Sequence, residues 1–94
     1  MTLALHWNPK AHEDRAAIMD TIAEDDPLAA LELDELLEER AAALPAHAEL
    51  YRRGRVAGTR ELVVAPNDVF VYRIRPAEGI VEILRVLHAR RQWP

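Results

Sequence analysis

Ninety-four residues, half of them apolar, with three glycines and no cysteine, describe one globular domain, since a chain of this size buries roughly 60 to 65 % of its unfolded surface in a single core. The composition excludes a disordered chain, a disulfide framework and a thiolate zinc site. The formal charge of −4 conceals an uneven split: up to Leu50 three basic residues stand against twelve acids, net −9, whereas beyond it nine arginines stand against four acids, net +5.

Leu3, Leu5 and Trp7 alternate with Thr2, Ala4 and His6, which predicts a short strand with one buried face. Asn8-Pro9 then reads as a helix cap followed by proline at the first helical position. The helix carries Ala11, Ile18 and Ile22 on one side and runs to about Asp25, where Asp26-Pro27 stops it and starts another. In that second helix Ala29, Leu33, Leu36, Leu37, Arg40 and Leu44 form the predicted buried stripe, with Glu32, Glu35, Glu38 and Glu39 on the other sides. Leu44-Pro45 is expected to end it. A loop is expected over 45–58, holding Arg52, Arg53, Gly54, Arg55 and Gly58, and the two helices should form an antiparallel hairpin.

From Thr59 onward the pattern is that of strands: 59–65, a turn through Pro66-Asn67-Asp68, 69–75, a turn through Pro76 and Gly79, and 80–87. Such short connections make antiparallel neighbours. The expected fold is a single α+β domain over 1–94, ordered β-α-α-β-β-β, with a helical hairpin packed on one face of a four-stranded, mainly antiparallel sheet.

No segment reaches the roughly 18 apolar residues of a membrane span, and residues 1–20 hold no long apolar run after a basic start, so a cytoplasmic location without a membrane partner is expected. His6, His12, His47 and His88 lack an HxxxH or HExxH arrangement, so neither a metal nor another cofactor is expected. His6, His12 and His47 read as surface or boundary residues. All nine late cations are arginine, whose rigid fork of donors suits phosphate or carboxylate. They either await an anionic partner or pair with the acids of the helices, and the sequence leaves both open.

The order of elements, with GTRELVVAPNDVFVYRI (58–74) and the closing VEILRVLHARRQWP (81–94), resembles the RelE/ParE superfamily of bacterial toxins from type II toxin-antitoxin modules, and within it the RelE/StbE-like branch associated with plasmid stabilisation. The resemblance covers essentially the whole chain. It implies a small cytoplasmic toxin paired with a cognate antitoxin, which neutralises it and carries it to operator DNA. Two activities share that fold: RelE-like members cut mRNA in the ribosomal A site, and ParE-like members poison DNA gyrase without cutting anything themselves.

Under the first, the chain is a metal-independent mRNA endonuclease that inhibits translation with the ribosome and mRNA as partners. Cleavage of this kind needs a 2′-hydroxyl deprotonated, a phosphorane stabilised and a leaving oxygen protonated. The candidates are His88 as general acid or base, with Arg60, Arg85 and Arg91 on the phosphate. Arg52, Arg53, Arg55 and Arg90 would bind RNA, and Trp93 would stack on a base. Strand alternation places Arg60 with Leu62 and Val64, and Arg85 with Val81, Ile83 and Leu87. Two departures from the RelE-like pattern stand against catalysis: Val69 replaces an arginine ahead of Phe70-Val71-Tyr72, and Val63 and Asn67 replace the histidine and aspartate of a related branch. The alternative is a non-enzymatic, ParE-like toxin that engages gyrase.

Overall fold

The computed structural model describes residues 2–88. Strand β1 (Ala4–Trp7) leads into helix α1 (Pro9–Asp25), and α2 (Pro27–His47) follows directly. Asn8 caps α1 by accepting from the Lys10 N–H at 2.9 Å, and Pro9 fills the first position. Asp26 closes α1 with its own N–H to Ile22 O and opens α2 through its carboxylate, which accepts from Ala29 N at 3.0 Å. One residue thus caps both helices, so the link between them is as short as Asp26-Pro27 implies.

The second half contains β2 (Arg52–Arg53), β3 (Arg60–Ala65), β4 (Asp68–Arg75), a 3-10 turn at Pro76–Glu78 and β5 (Ile80–His88). The sheet has five strands in the order β1-β5-β4-β3-β2, all neighbours antiparallel except β1 beside β5. The α+β architecture is the expected one, and the added strand is the two-residue β2 inside the segment expected to be loop. Both of its residues are exposed arginines, so no apolar alternation announces it. Its hairpin closes through Gly54 N to Thr59 O at 2.8 Å. A Cβ on Gly54 would lie 2.2 Å from Thr59 Oγ1, which is why the approach needs glycine.

Helix α2 runs through Pro45 to His47 instead of ending before it. Proline removes one helical donor, but the following carbonyls are held from the sheet: Tyr72 Oη donates to Ala48 O at 2.5 Å, and Arg60 Nη1 donates to Glu49 O and Tyr51 O at 3.2 and 2.9 Å. The Tyr72 bond satisfies an otherwise orphaned acceptor at the C-cap, and the Arg60 bonds hold the segment just beyond the helix. Burial raises the Tyr72 phenol to about 12.

The core lies between hairpin and sheet. Ala11, Ile18, Leu37, Ala41 and Leu44 meet Leu62, Val64, Phe70, Tyr72, Val81, Ile83 and Val86. The predicted α2 stripe is therefore rotated slightly: Ala30 and Ala41 are buried, Leu33 and Leu36 only partly, and Arg40 is exposed. The β5 core residues step by two from Val81 to Ile83 and then by three to Val86. The cause is a register shift against β4, where Val71 faces Arg85 but Tyr72 faces Ile83, leaving Leu84 as the extra residue. Such a bulge resets the alternation. It separates Arg85 from Val81 and Ile83, with which sequence alternation places it, while Arg85 and Leu87 stay in phase beyond the bulge.

Candidate functional site

Several carboxylates inside the sheet and helices decide what the arginines can do. Asp14 lies on the buried side of α1 with Ala11 and Ile18. Its Oδ2 accepts from Arg85 Nε at 2.6 Å and from the Val86 N–H at 3.0 Å, while Oδ1 accepts from Arg85 Nη2 at 2.9 Å. The pairing of β1 with β5 stops at Ile83, and the Asp14 carboxylate takes up the β5 edge beyond it. These hydrogen bonds hold the Arg85 guanidinium above its ordinary pKa. The pair is bidentate, the strongest arrangement available to these groups.

Glu61 and Glu82 play the same part on the sheet face turned away from the helices, where alternation with Leu62, Val81 and Ile83 places them. Glu61, buried, accepts from Arg52 Nη2 at 3.0 Å and from the Arg55 N–H at 3.2 Å, with Arg55 Nε at 3.8 Å. Glu82, also buried, accepts from Arg73 Nε at 2.9 Å, Arg75 Nη1 at 3.4 Å and Asn8 Nδ2 at 3.2 Å. Burial alone would push the Glu82 carboxyl up; the hydrogen bonds from Arg73 and Asn8 overcome it and leave the pKa below the usual range.

The candidate residues are thus distributed as follows. Arg85 is held by α1, and Arg60 by the Glu49 and Tyr51 carbonyls just beyond α2. Their strands are separated by β4. His88 faces Asp68 at the far end of the β4–β5 ladder, with Nδ1 2.8 Å from Asp68 Oδ1. Tyr72 marks the row of Arg60, so His88 sits four residues along the strand from it, about 13 Å at the usual rise. Arg52 and Arg55 are neutralised by Glu61, whereas Arg53 meets no carboxylate among the described residues. Arg90, Arg91 and Trp93 lie outside the described residues. His12 is exposed and stacks on Trp7 at 5.2 Å, and His6 and His47 are at the surface or boundary as expected.

The sequence reading passed over Asp14, Glu61, Glu82 and Asp68, and the signal for three of them was present. Asp14 falls at i+3 from Ala11 on the buried stripe, and Glu61 and Glu82 stand within strands that are mostly apolar. A carboxylate in such a place is almost never buried without a partner. Asp68 stood in a turn motif, where an exposed aspartate is ordinary.

Residues 5–93 match the family described as ParE toxin of type II toxin-antitoxin system, parDE. This chain belongs to that family. The toxin is 41 % identical over 87 residues to Toxin RelE2 of Caulobacter vibrioides, covering 90 % of this chain and 93 % of the relative. Its fold superposes with a TM-score of 0.84 on the chromosomal ParDE toxin-antitoxin system from P. aeruginosa, at 25 % identity over 95 % of this chain and 98 % of the other. A TM-score of 0.63 at 20 % identity relates it to the RelBE2 toxin-antitoxin complex from Mycobacterium tuberculosis, over 94 % of this chain and 99 % of that one; the latter likeness is one of fold. The toxin is thus a member of the RelE/ParE superfamily, and no helix among its described residues is long and apolar enough to cross a membrane.

Proposed function

We propose that this toxin acts by binding its target and does not itself cut RNA, with DNA gyrase as the target and a cognate antitoxin as its neutralising partner. The observation that carries this reading is the Asp14–Arg85 pair. A phosphate contact would only replace the two charge-assisted hydrogen bonds that Arg85 already makes, whereas uncoupling a buried ion pair costs about 3 to 5 kcal/mol. Asp14 would be left buried and charged, so the exchange is unfavourable. Arg60 lies on the other side of β4 from Arg85, and His88 stands rows away from both. The absence of an arginine at Val69 agrees with this arrangement, and so does the greater likeness of fold to the ParDE system than to RelBE2.

The test is a supercoiling and DNA-cleavage assay with purified toxin and gyrase. Loss of supercoiling with accumulation of gyrase-linked DNA breaks is expected, and unchanged supercoiling at a large molar excess of toxin would contradict the reading.

A second reading, mRNA cleavage at the ribosome, is favoured by the His88–Asp68 pair: a carboxylate orients a partly exposed imidazole, as a general acid or base requires. In that case His88→Ala abolishes toxicity while fold and antitoxin binding persist. Undiminished toxicity in the variant removes this reading.

A further inference from the structure

The β2–β3 hairpin holds two cross-strand rows that differ in charge. In one, Arg52 faces Glu61; in the next, Arg53 faces Arg60. Like charges directly opposite on neighbouring strands are destabilising, and among the described residues no carboxylate neutralises this second row. Arg60 Nη1 satisfies the carbonyls of Glu49 and Tyr51, but carbonyls leave its full charge uncompensated. Arg53 is exposed. The row is held in place by the Gly54–Thr59 closure, by Thr59 Oγ1 donating to Val56 O at 2.6 Å and by Gly58 at φ +80°.

These two guanidinium groups line a cleft of about 270 Å³ together with Thr59 and Ile74. Ile74 also lines a larger open cleft of about 430 Å³, whose wall includes Leu3, Pro45, Glu49, Leu50 and Pro76. Leu50 is 75 % exposed, the most exposed of the large apolar side chains among the described residues. A surface that is apolar at one end and doubly cationic at the other therefore runs past the end of α2 and along Ile74.

We infer that this surface is a docking groove for an antitoxin segment that brings apolar side chains to Leu50 and Ile74 and a carboxylate to Arg53 and Arg60. This inference rests on the toxin reading above. A peptide fits better than a nucleic acid for two reasons. Glu49 stands in the larger cleft and repels a phosphate backbone, and nucleic-acid affinity comes from many neutralised phosphates, whereas two cations beside apolar surface suit an anchored peptide.

Full-length toxin variants titrated with the purified cognate antitoxin provide the test. Arg53→Glu and Leu50→Glu should each weaken binding at least tenfold, Arg53→Lys should retain part of the affinity, and the distant Lys10→Glu should stay within twofold of wild type. Thermal unfolding of the free variants should match wild type, since neither side chain packs in the core. If wild type binds but Arg53→Glu and Leu50→Glu bind equally well, the groove assignment is wrong while the toxin reading stands. If wild type itself forms no complex, both are wrong. If the variants lose affinity for a single-stranded RNA oligonucleotide while keeping antitoxin affinity, the row is a phosphate site and the inference is overturned.

Discussion

Two arginine environments in this molecule are chemically alike in sequence and opposite in structure. Arg85 lies 23 % exposed against a carboxylate that is 4 % exposed, with its Nε and Nη2 donors both on that carboxylate. Arg53 and Arg60, in contrast, face one another across a hairpin, and among the described residues no carboxylate pairs with either. The first arrangement ties α1 to the sheet and stabilises the domain. The second costs the isolated domain some stability and leaves charge available to a partner. A count of arginines therefore says little about anion binding until each one is assigned its acid.

The comparison can be broken at either end, and the largest effect is expected at Asp14. Asp14→Ala strands Arg85 and leaves the Val86 N–H without its acceptor, so a loss of about 3 to 5 kcal/mol is expected in urea unfolding. A loss below 1 kcal/mol would mean that the pair is not structural. Glu82→Gln comes next. Its partners Arg73 and Arg75 are part-exposed, so a cost of about 1 to 3 kcal/mol is expected. Because the native carboxyl pKa is lowered, its contribution is present above the unfolded value near 4.3 and is lost as pH falls through the folded one. Unfolding curves between pH 3 and 6 should show a shallower acid loss in Glu82→Gln than in wild type.

Tyr72→Phe is expected to cost about 1 kcal/mol near neutrality by leaving the Ala48 carbonyl unpaired. Tyr72 has a raised native pKa, so its stabilisation is complete below the unfolded pKa of about 10 and is lost as pH climbs toward about 12. Alkaline unfolding should therefore flatten in the variant. The smallest effect belongs to Arg53→Ala, within about 0.5 kcal/mol of wild type or slightly stabilising, since it removes a like-charge neighbour. Thermal unfolding distinguishes this from a structural role, which would lower the midpoint.

Much of the fold was legible in the chain. Asn8-Pro9 and Asp26-Pro27 specified both helix starts, and alternation from Leu62 to Ile74 specified two strands and their core faces. Less legible were features settled by contacts across the fold. The α2 terminus depends on Tyr72 reaching the Ala48 carbonyl and on Arg60 holding the segment beyond it, and neither residue is near Pro45 in sequence. The β5 bulge turns on one extra residue at Ile83-Leu84, two adjacent apolar side chains either of which alternation could turn inward. The candidate site suffered most, because Arg85 looked available until Asp14, seventy-one residues earlier, was placed beside it. The buried carboxylates were visible as charges inside apolar stripes, but which arginine each would claim depended on register.

The measurement that bears most directly on whether these arginines serve structure or catalysis is transcriptome-wide mapping of mRNA 5′ ends after brief induction of the toxin, with gyrase-linked DNA breaks measured in the same cells. Gyrase-linked breaks with no new mRNA ends are expected, in wild type and His88→Ala alike. New mRNA ends at translating ribosomes that vanish in His88→Ala would contradict the account.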